Sequence, residues 1–216
     1  MNDRKSTAAG FTLIETIVVL AVIGAILAAM APLAFTYLQD ARRAQAQNDV
    51  NQIADAIGRF MKSTGVPPYK NTASAKIPAW QSANSDYTCL TGSQGVAFTS
   101  AEDSTSGTSW SSCWTSGAND TIERHLVSNA PGGSGSKAYS TTGRNKWEGP
   151  YLPSLEADPW NKPYLVNVKQ MDPAASTPKA AWVLSAGPNG RIETAFDQNA
   201  ATSVTPSGDD IIARVK

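Results

Sequence analysis

Few side chains in this chain could do chemistry. Glu15 stands at the start of an apolar run in which Ile17 to Phe35 carries no charge. A carboxylate left unpaired at a bilayer centre costs about 2.5–3.5 kcal/mol, so such a residue is a functional candidate by default. The chemistry it offers is an ion pair in low dielectric, where each charge is tolerable only in the company of the other. The alternative is a signal-anchor with a stray polar side chain. Cys89 and Cys113 could close a disulfide in an oxidising compartment, or remain two free or buried thiols. Alone they are too few for structural zinc, which takes four ligands. His125, the only histidine, has no CxxC partner and no nucleophile motif beside it, and reads as a surface residue. Enzymes need a convergent acid–base or nucleophile set, and the acidic residues here are scattered through loops. A membrane-anchored periplasmic enzyme is therefore a weak reading.

The elements that must position these groups follow from pattern. About 20 apolar residues span a bilayer as a helix, and the stretch from Phe11 to about Leu38 meets that length. It then runs without a break into a second pattern. Val50, Ile53, Ala54, Ile57, Phe60 and Met61 recur at three- and four-residue steps with Asn51, Gln52, Asp55 and Arg59 between them, which gives one apolar stripe. Gly65, with Pro67 and Pro68, supplies the stop. One helix over 11–63 would be roughly 80 Å long at 1.5 Å per residue. Gly24 and Pro32 are the places where it bends or melts most cheaply.

Beyond the helix, residues 84–146 are rich in Ser, Thr, Gly, Asn and Ala, which favours loops and turns. The spacing predicts a long surface excursion pinned by Cys89 and Cys113, with Tyr87, Trp110 and Trp114 in it. Those aromatics could bind glycan or protein, or fold back to cover the parent domain. From Gly149 the pattern sharpens. Tyr164–Val168, Ala181–Leu184 and Ile211–Val215 read as strands. Short strands after one long helix predict an α+β unit, with a small antiparallel sheet on the amphipathic stripe. Residues 64–216 suffice for one globular domain carrying the 84–146 insertion and the 149–216 strands, not for two.

Charge bounds the partners. With 18 basic and 18 acidic side chains the chain is formally neutral, so nucleic acid is not an expected partner. Arg4 and Lys5 precede the apolar run and favour a cytoplasmic leader, whereas Arg42 and Arg43 just beyond it weaken that vote.

Gly10-Phe11-Thr12-Leu13-Ile14-Glu15 resembles the processing junction of type IV pilins and type II secretion pseudopilins throughout. The resemblance implies a leader of residues 1–10, cut by a prepilin peptidase after Gly10, with N-methylation of Phe11. The cut would fall before the apolar stretch, unlike that of a secretory signal peptide, so the anchor stays. The resemblance further implies that Glu15 answers the Phe11 amine of a neighbouring subunit. A freed α-amino group has a pKa of about 7.7–8.0 and is largely cationic at neutral pH. Also implied are a single pass through the inner membrane, a periplasmic domain, a cytoplasmic ATPase and a polytopic assembly platform, with other pseudopilins or minor pilins as partners. Pro32 sits where family members often carry a kinking proline.

Three further motifs narrow the resemblance. Gly149-Pro-Tyr-Leu-Pro153 and Asp158-Pro-Trp-Asn-Lys-Pro-Tyr164 look like motifs of major pseudopilins. Ser185-Ala-Gly-Pro-Asn-Gly190 with Asp209-Asp210-Ile211 resembles that family's calcium loop. The insertion has no counterpart there, and the span from Gly190 to Asp209 is longer than usual. Calcium takes six to eight oxygens from carboxylates, amides, backbone carbonyls and water. The implied set is Asn189, Asp209 and Asp210, with backbone carbonyls at Leu184 and Ser185 and a further candidate in Asp197. Asn189 stands where an aspartate is usual, which removes a charge and weakens binding. The competing reading is an Asn-Gly tight turn followed by an edge strand. The expected function is a non-enzymatic filament subunit, a pseudopilin of type II secretion or alternatively a major or minor type IV pilin.

Overall fold

A computed structural model describes residues 10–65, 68, 89–103, 110–111, 113, 120–133, 138–171, 180–198 and 205–215. The leader residues 1–9, Tyr87 and Trp114 lie outside the described residues. The chain divides into two units, residues 1–42 and 43–216. Helix α1 (Leu13–Thr64) begins in the first and ends in the second.

In the first unit the large apolar side chains of α1, from Leu13 to Leu38, are exposed. By length and composition it is the one helix among the described residues able to cross a membrane. The helix continues through Pro32, which has no amide hydrogen to give the preceding turn. The Thr36 hydroxyl donates to the Pro32 carbonyl (3.2 Å).

In the second unit α1 keeps Asn51, Gln52 and Asp55 in solvent and buries Val50, Ile53, Ile57 and Phe60. Each such side chain contributes about 1.5–3 kcal/mol on leaving water. Gly65 ends the helix at φ +70°, its amide donating to the Met61 carbonyl (2.9 Å). This left-handed cap is one that glycine enters at little cost.

The buried stripe packs on a five-stranded sheet. Its strands are β1 (Leu90–Thr91), β2 (Asp120–Thr121), β3 (Leu165–Val166), β4 (Trp182–Ser185) and β5 (Ile211–Arg214), in the order β2-β1-β3-β4-β5. Pairing is antiparallel for β1–β3, β3–β4 and β4–β5, as expected, but β1 and β2 run parallel, so the sheet is mixed. A parallel pair needs a long crossover, and the stretch that carries Cys113 supplies it.

Residues alternate between the two faces of the sheet. Leu90, Val166, Val183 and Ala213 join the α1 stripe in one core. Leu165, Trp182 and Leu184 point into a second, with Cys89, Phe98, Trp110, Cys113, Ile192 and Phe196. In its described parts the 84–146 insertion is the expected disulfide-pinned loop, with residues 93–97 and 140–144 exposed while Phe98, Trp110 and Cys113 fold back into the domain. Cys89 and Cys113 are disulfide-bonded, and the bond lies inside this second core. Trp110 is fully buried, edge-on to Phe196 (5.0 Å), and its indole donates to the Thr194 carbonyl (2.8 Å). A role for Trp110 as an exposed glycan or protein contact is therefore excluded. It covers the parent domain.

The Asp158–Tyr164 motif locks the insertion down. Asp158 Oδ1 accepts the Trp160 and Lys162 amides, and Oδ2 accepts the Ser185 hydroxyl (2.7 Å) at the end of β4. Lys162 Nζ reaches Glu102 across from it (2.6 Å). Gly95 has φ +107°, and a Cβ there would stand 2.8 Å from the Lys162 carbonyl carbon, so only glycine lets the segment after β1 lie so close.

His125 is likewise not at the surface. It is fully buried on α2 (Ile122–Leu126), with Nδ1 2.6 Å from the Tyr139 hydroxyl and Nε2 3.1 Å from Asp120 Oδ2. Asp120 also accepts the Thr121 and Gly132 amides and the Arg124 guanidinium. Burial pushes the Asp120 carboxyl up, but the bonds from His125, Gly132 and Arg124 outweigh it and hold the group well below the usual carboxylate range. An acid, an imidazole and a phenol in line suggest a proton relay. Fully buried against Phe60 through Tyr139, the three act instead as a structural polar core.

Two measurements test this packing. Trp110→Ala is expected to lower unfolding stability by about 3–5 kcal/mol in denaturant; a loss under about 1 kcal/mol would show that the second core does not hold the domain. Asp120 has a depressed folded pKa, so its contribution is present above its ordinary value of 3.8 and lost as pH falls through the folded value. Asp120→Asn should therefore destabilise most at pH 7 and progressively less below about pH 4. An equal loss at pH 7 and pH 3 would contradict the ionised, paired state.

Candidate functional site

The two sites expected from the sequence fall in different units, and each is described by itself. At the N-terminus Phe11 is 81% exposed, and α1 starts two residues later. The first amides of a helix have no partner within it. Here Thr12 and Glu15 satisfy two of the groups at this end. The Thr12 amide and hydroxyl both donate to Glu15 Oε2 (3.3 and 3.4 Å), and the Glu15 amide donates to Thr12 Oγ1 (3.4 Å). This is a reciprocal capping box. The sequence reading assigned Glu15 but missed Thr12, although Thr-x-x-Glu before an apolar run is the signature that announces it.

The arrangement has an electrostatic consequence. Glu15 sits in the first turn of α1, where aligned peptide dipoles place about half a positive charge. Within one chain the carboxylate is already hydrogen-bonded and faces the favourable end of the dipole. Its partners there are dipolar only, so its full charge stays available to a cation brought by another molecule.

The second site surrounds the turn after β4 and the residues leading into β5. Leu184 and Ser185 end β4 in register with Ile212 and Ile211, which places them beside Asp209 and Asp210. The Ser185 hydroxyl is engaged by Asp158, which leaves its backbone as the usable donor of oxygen. The Asn189 amide donates to Asp209 Oδ2 (3.0 Å), and the Glu193 and Thr194 amides donate to Asp210 Oδ2 (2.9 and 2.6 Å). Asn189 Oδ1 is occupied by the Arg191 amide (2.6 Å) in an Asx turn. The structure therefore brings Asn189, Asp209 and Asp210 to one locus, and Asn189 also makes the tight turn that was its alternative reading. Asp197 is half-buried farther along the same loop.

The acids here are under electrostatic strain. Burial pushes the Asp210 carboxyl up to about 6 despite hydrogen bonds from the Thr194 hydroxyl and the two amides, and the charge of Glu193 pushes the same way. Asp209 Oδ1 and Asp210 Oδ1 are buried with no hydrogen-bond partner. A buried acceptor without a donor costs the desolvation of that group, and a cation relieves it. The residues present thus fit a calcium ion in the donor chemistry they offer. Among the described residues no three His, Cys, Asp or Glu side chains form a preformed metal cluster. Backbone, amide and water oxygens would have to complete any shell.

Residues 5–31 match the family model described as the prokaryotic N-terminal methylation motif. Neither a search of curated proteins nor one of solved structures returns a match to the chain. The matched stretch holds the Gly10–Phe11 junction, the Thr12–Glu15 cap and most of the apolar half of α1; in that stretch the chain is similar to type IV pilin-like proteins, and its apolar helix fits membrane anchoring.

Proposed function

We propose that this chain is the structural subunit of a helical filament rooted in the inner membrane, a pseudopilus that drives folded proteins out through a type II secretion system. The observation that carries the reading is the exposed apolar half of α1, headed by Glu15 and lying largely within the methylation motif. Type IV pilin-like families are structural filament subunits. In this account a prepilin peptidase cuts after Gly10 and methylates the Phe11 amine. The subunit waits in the bilayer with residues 11–38 spanning it and residues 64–216 in the periplasm. A platform and a cytoplasmic ATPase then insert it into the fibre, beside copies of itself and other pseudopilins.

Apolar helices gain little from lipid alone when they associate, so the register of insertion has to come from a specific contact. Glu15 meeting the cationic Phe11 amine of the next copy supplies it. The Asp158–Tyr164 and Gly149–Pro153 motifs support the pseudopilin over the alternative, a major or minor type IV pilin. The disulfide-bonded second core favours a specialised subunit of either kind. Calcium, held by Asn189, Asp209, Asp210 and the Leu184 and Ser185 carbonyls, would tie the turn after β4 to the start of β5.

Gly10→Ala should largely abolish leader removal, read as the intact mass of the purified protein. Glu15→Ala should leave cleavage intact and stop polymerisation; wild-type fibres from that variant would defeat the register role. Deleting the gene should stop secretion and leave surface pili in place, whereas loss of pili with normal secretion would select the pilin. Adding EGTA to the calcium-loaded protein should lower its unfolding midpoint by several degrees, since a ligand at 100 times its Kd adds about 2.7 kcal/mol. An unchanged midpoint removes the metal.

A further inference from the structure

We propose that copies of this chain meet head to tail through a charged groove along α1, the basic end of one copy's groove docking on the acidic end of the next. The inference rests on the filament reading above and deepens it by naming the surface through which neighbouring domains pair. Gln45, Asp49, Gln52, Asp55, Arg59 and Lys62 follow one another at three- and four-residue steps, so they share one side of the helix. The segment from Glu148 to Glu156 runs against them, and three hollows of about 220, 720 and 550 Å³ lie between. Gln52 and Leu152 border the first and second, and Arg59 and Tyr151 the second and third, so the hollows form one groove.

The two signs are sorted along it. Asp49 and Glu156 line the first hollow, where there is no basic side chain; Arg59, Lys62 and Arg144 line the third. Glu148 also borders the third, and its charge is answered by Lys146 (3.5 Å). Asp49 and Lys62 stand about 20 Å apart along the helix at 1.5 Å per residue.

These charges are positioned without being neutralised. Asp49 Oδ2 accepts the Tyr164 hydroxyl (2.8 Å), and the Arg59 guanidinium donates to the Tyr151 carbonyl (2.8 Å). Lys62, Arg144 and Glu156 are exposed. The ion pairs among the described residues involve none of these five side chains.

A partner of a single sign would be drawn to one end of such a groove and repelled from the other. A second copy carries both signs. Copies anchored by α1 in one bilayer point the same way, so side by side without a shift their like ends would face each other. A displacement along the helix instead sets the basic end of one beside the acidic end of the next. That contact is heterologous and propagates, as a fibre requires. One exposed ion pair contributes little, but complementary charges repeated at every copy fix register and reject the wrong one.

The test uses the full-length chain in its own cells, with the sedimented fibre fraction as readout. Lys62→Glu and Glu156→Lys should each lower that fraction by about tenfold, and both together in one chain should restore about half of it or more. Both side chains are exposed, so the unfolding midpoint of each purified variant should stay at the wild-type value; where Lys62→Glu shifts it, Arg144→Glu takes its place at the same end. Ser63→Cys combined with Ser154→Cys leaves the charges intact and marks the two ends of the groove. A short bis-maleimide should join that variant into dimers, trimers and longer species, since both native cysteines are held in the disulfide. Single charge variants at the wild-type fibre fraction, a double variant no better than its parents, or cross-linking that stops at the dimer overturns the head-to-tail contact and leaves the filament reading standing. A wild-type chain that forms no fibre overturns both.

Discussion

The apolar side chains between Phe11 and Leu38 are left exposed by their own chain, and the rest of the molecule is arranged around that fact. Hydrophobic surface of this extent cannot be left in water. It has to be covered by lipid or by other helices. The same helix must then carry a water-soluble domain, so its pattern changes along its length. Around the first half the side chains are apolar on every side; after Arg43 only a stripe remains, and the stripe is what the sheet covers. A single helix thus serves two solvents, and no loop is needed to join the parts.

That demand explains which features were legible in the sequence. A long helix leaves a repeated signal, and Val50 to Met61 gave its stripe while Gly65 gave its stop. Strands β3, β4 and β5 showed as short β-branched and aromatic runs, close to their observed bounds. Strands β1 and β2 escaped notice because two residues each are too few for an alternation to register. Their parallel pairing depends on a crossover that no local pattern encodes.

The disulfide-pinned insertion was legible as a loop, but how far it packs on the domain was not. Ser, Gly and Thr dominate it, and composition averages over residues that do unequal work. Phe98, Trp110 and the disulfide are enough to build a layer once Ile192 and Phe196 come across from the C-terminal loop. His125 was misjudged in the same way: its partners Asp120 and Tyr139 are five and fourteen positions away, on different elements, and only the fold brings them to it. Thr12 and Glu193 are contrasting cases. The first had a signature four residues long that went unused; the second is placed by Gly208 and Asp209, fifteen or more positions further on, and has no local sign.

Glu15 and the acids before β5 pose one electrostatic problem in two settings. A carboxylate removed from water needs donors or a countercharge. Glu15 has donors of its own, from Thr12 and the first turn, and so can wait in an apolar medium before its partner arrives. That interim satisfaction keeps the resting state affordable without supplying a full countercharge, and a cationic terminus therefore remains a better partner than the cap. Asp209 and Asp210 have their inner oxygens buried and unanswered within the chain. There burial pushes the Asp210 carboxyl up, and the charge of Glu193 pushes the same way. Glu15, by contrast, has its hydrogen-bond donors within its own first turn.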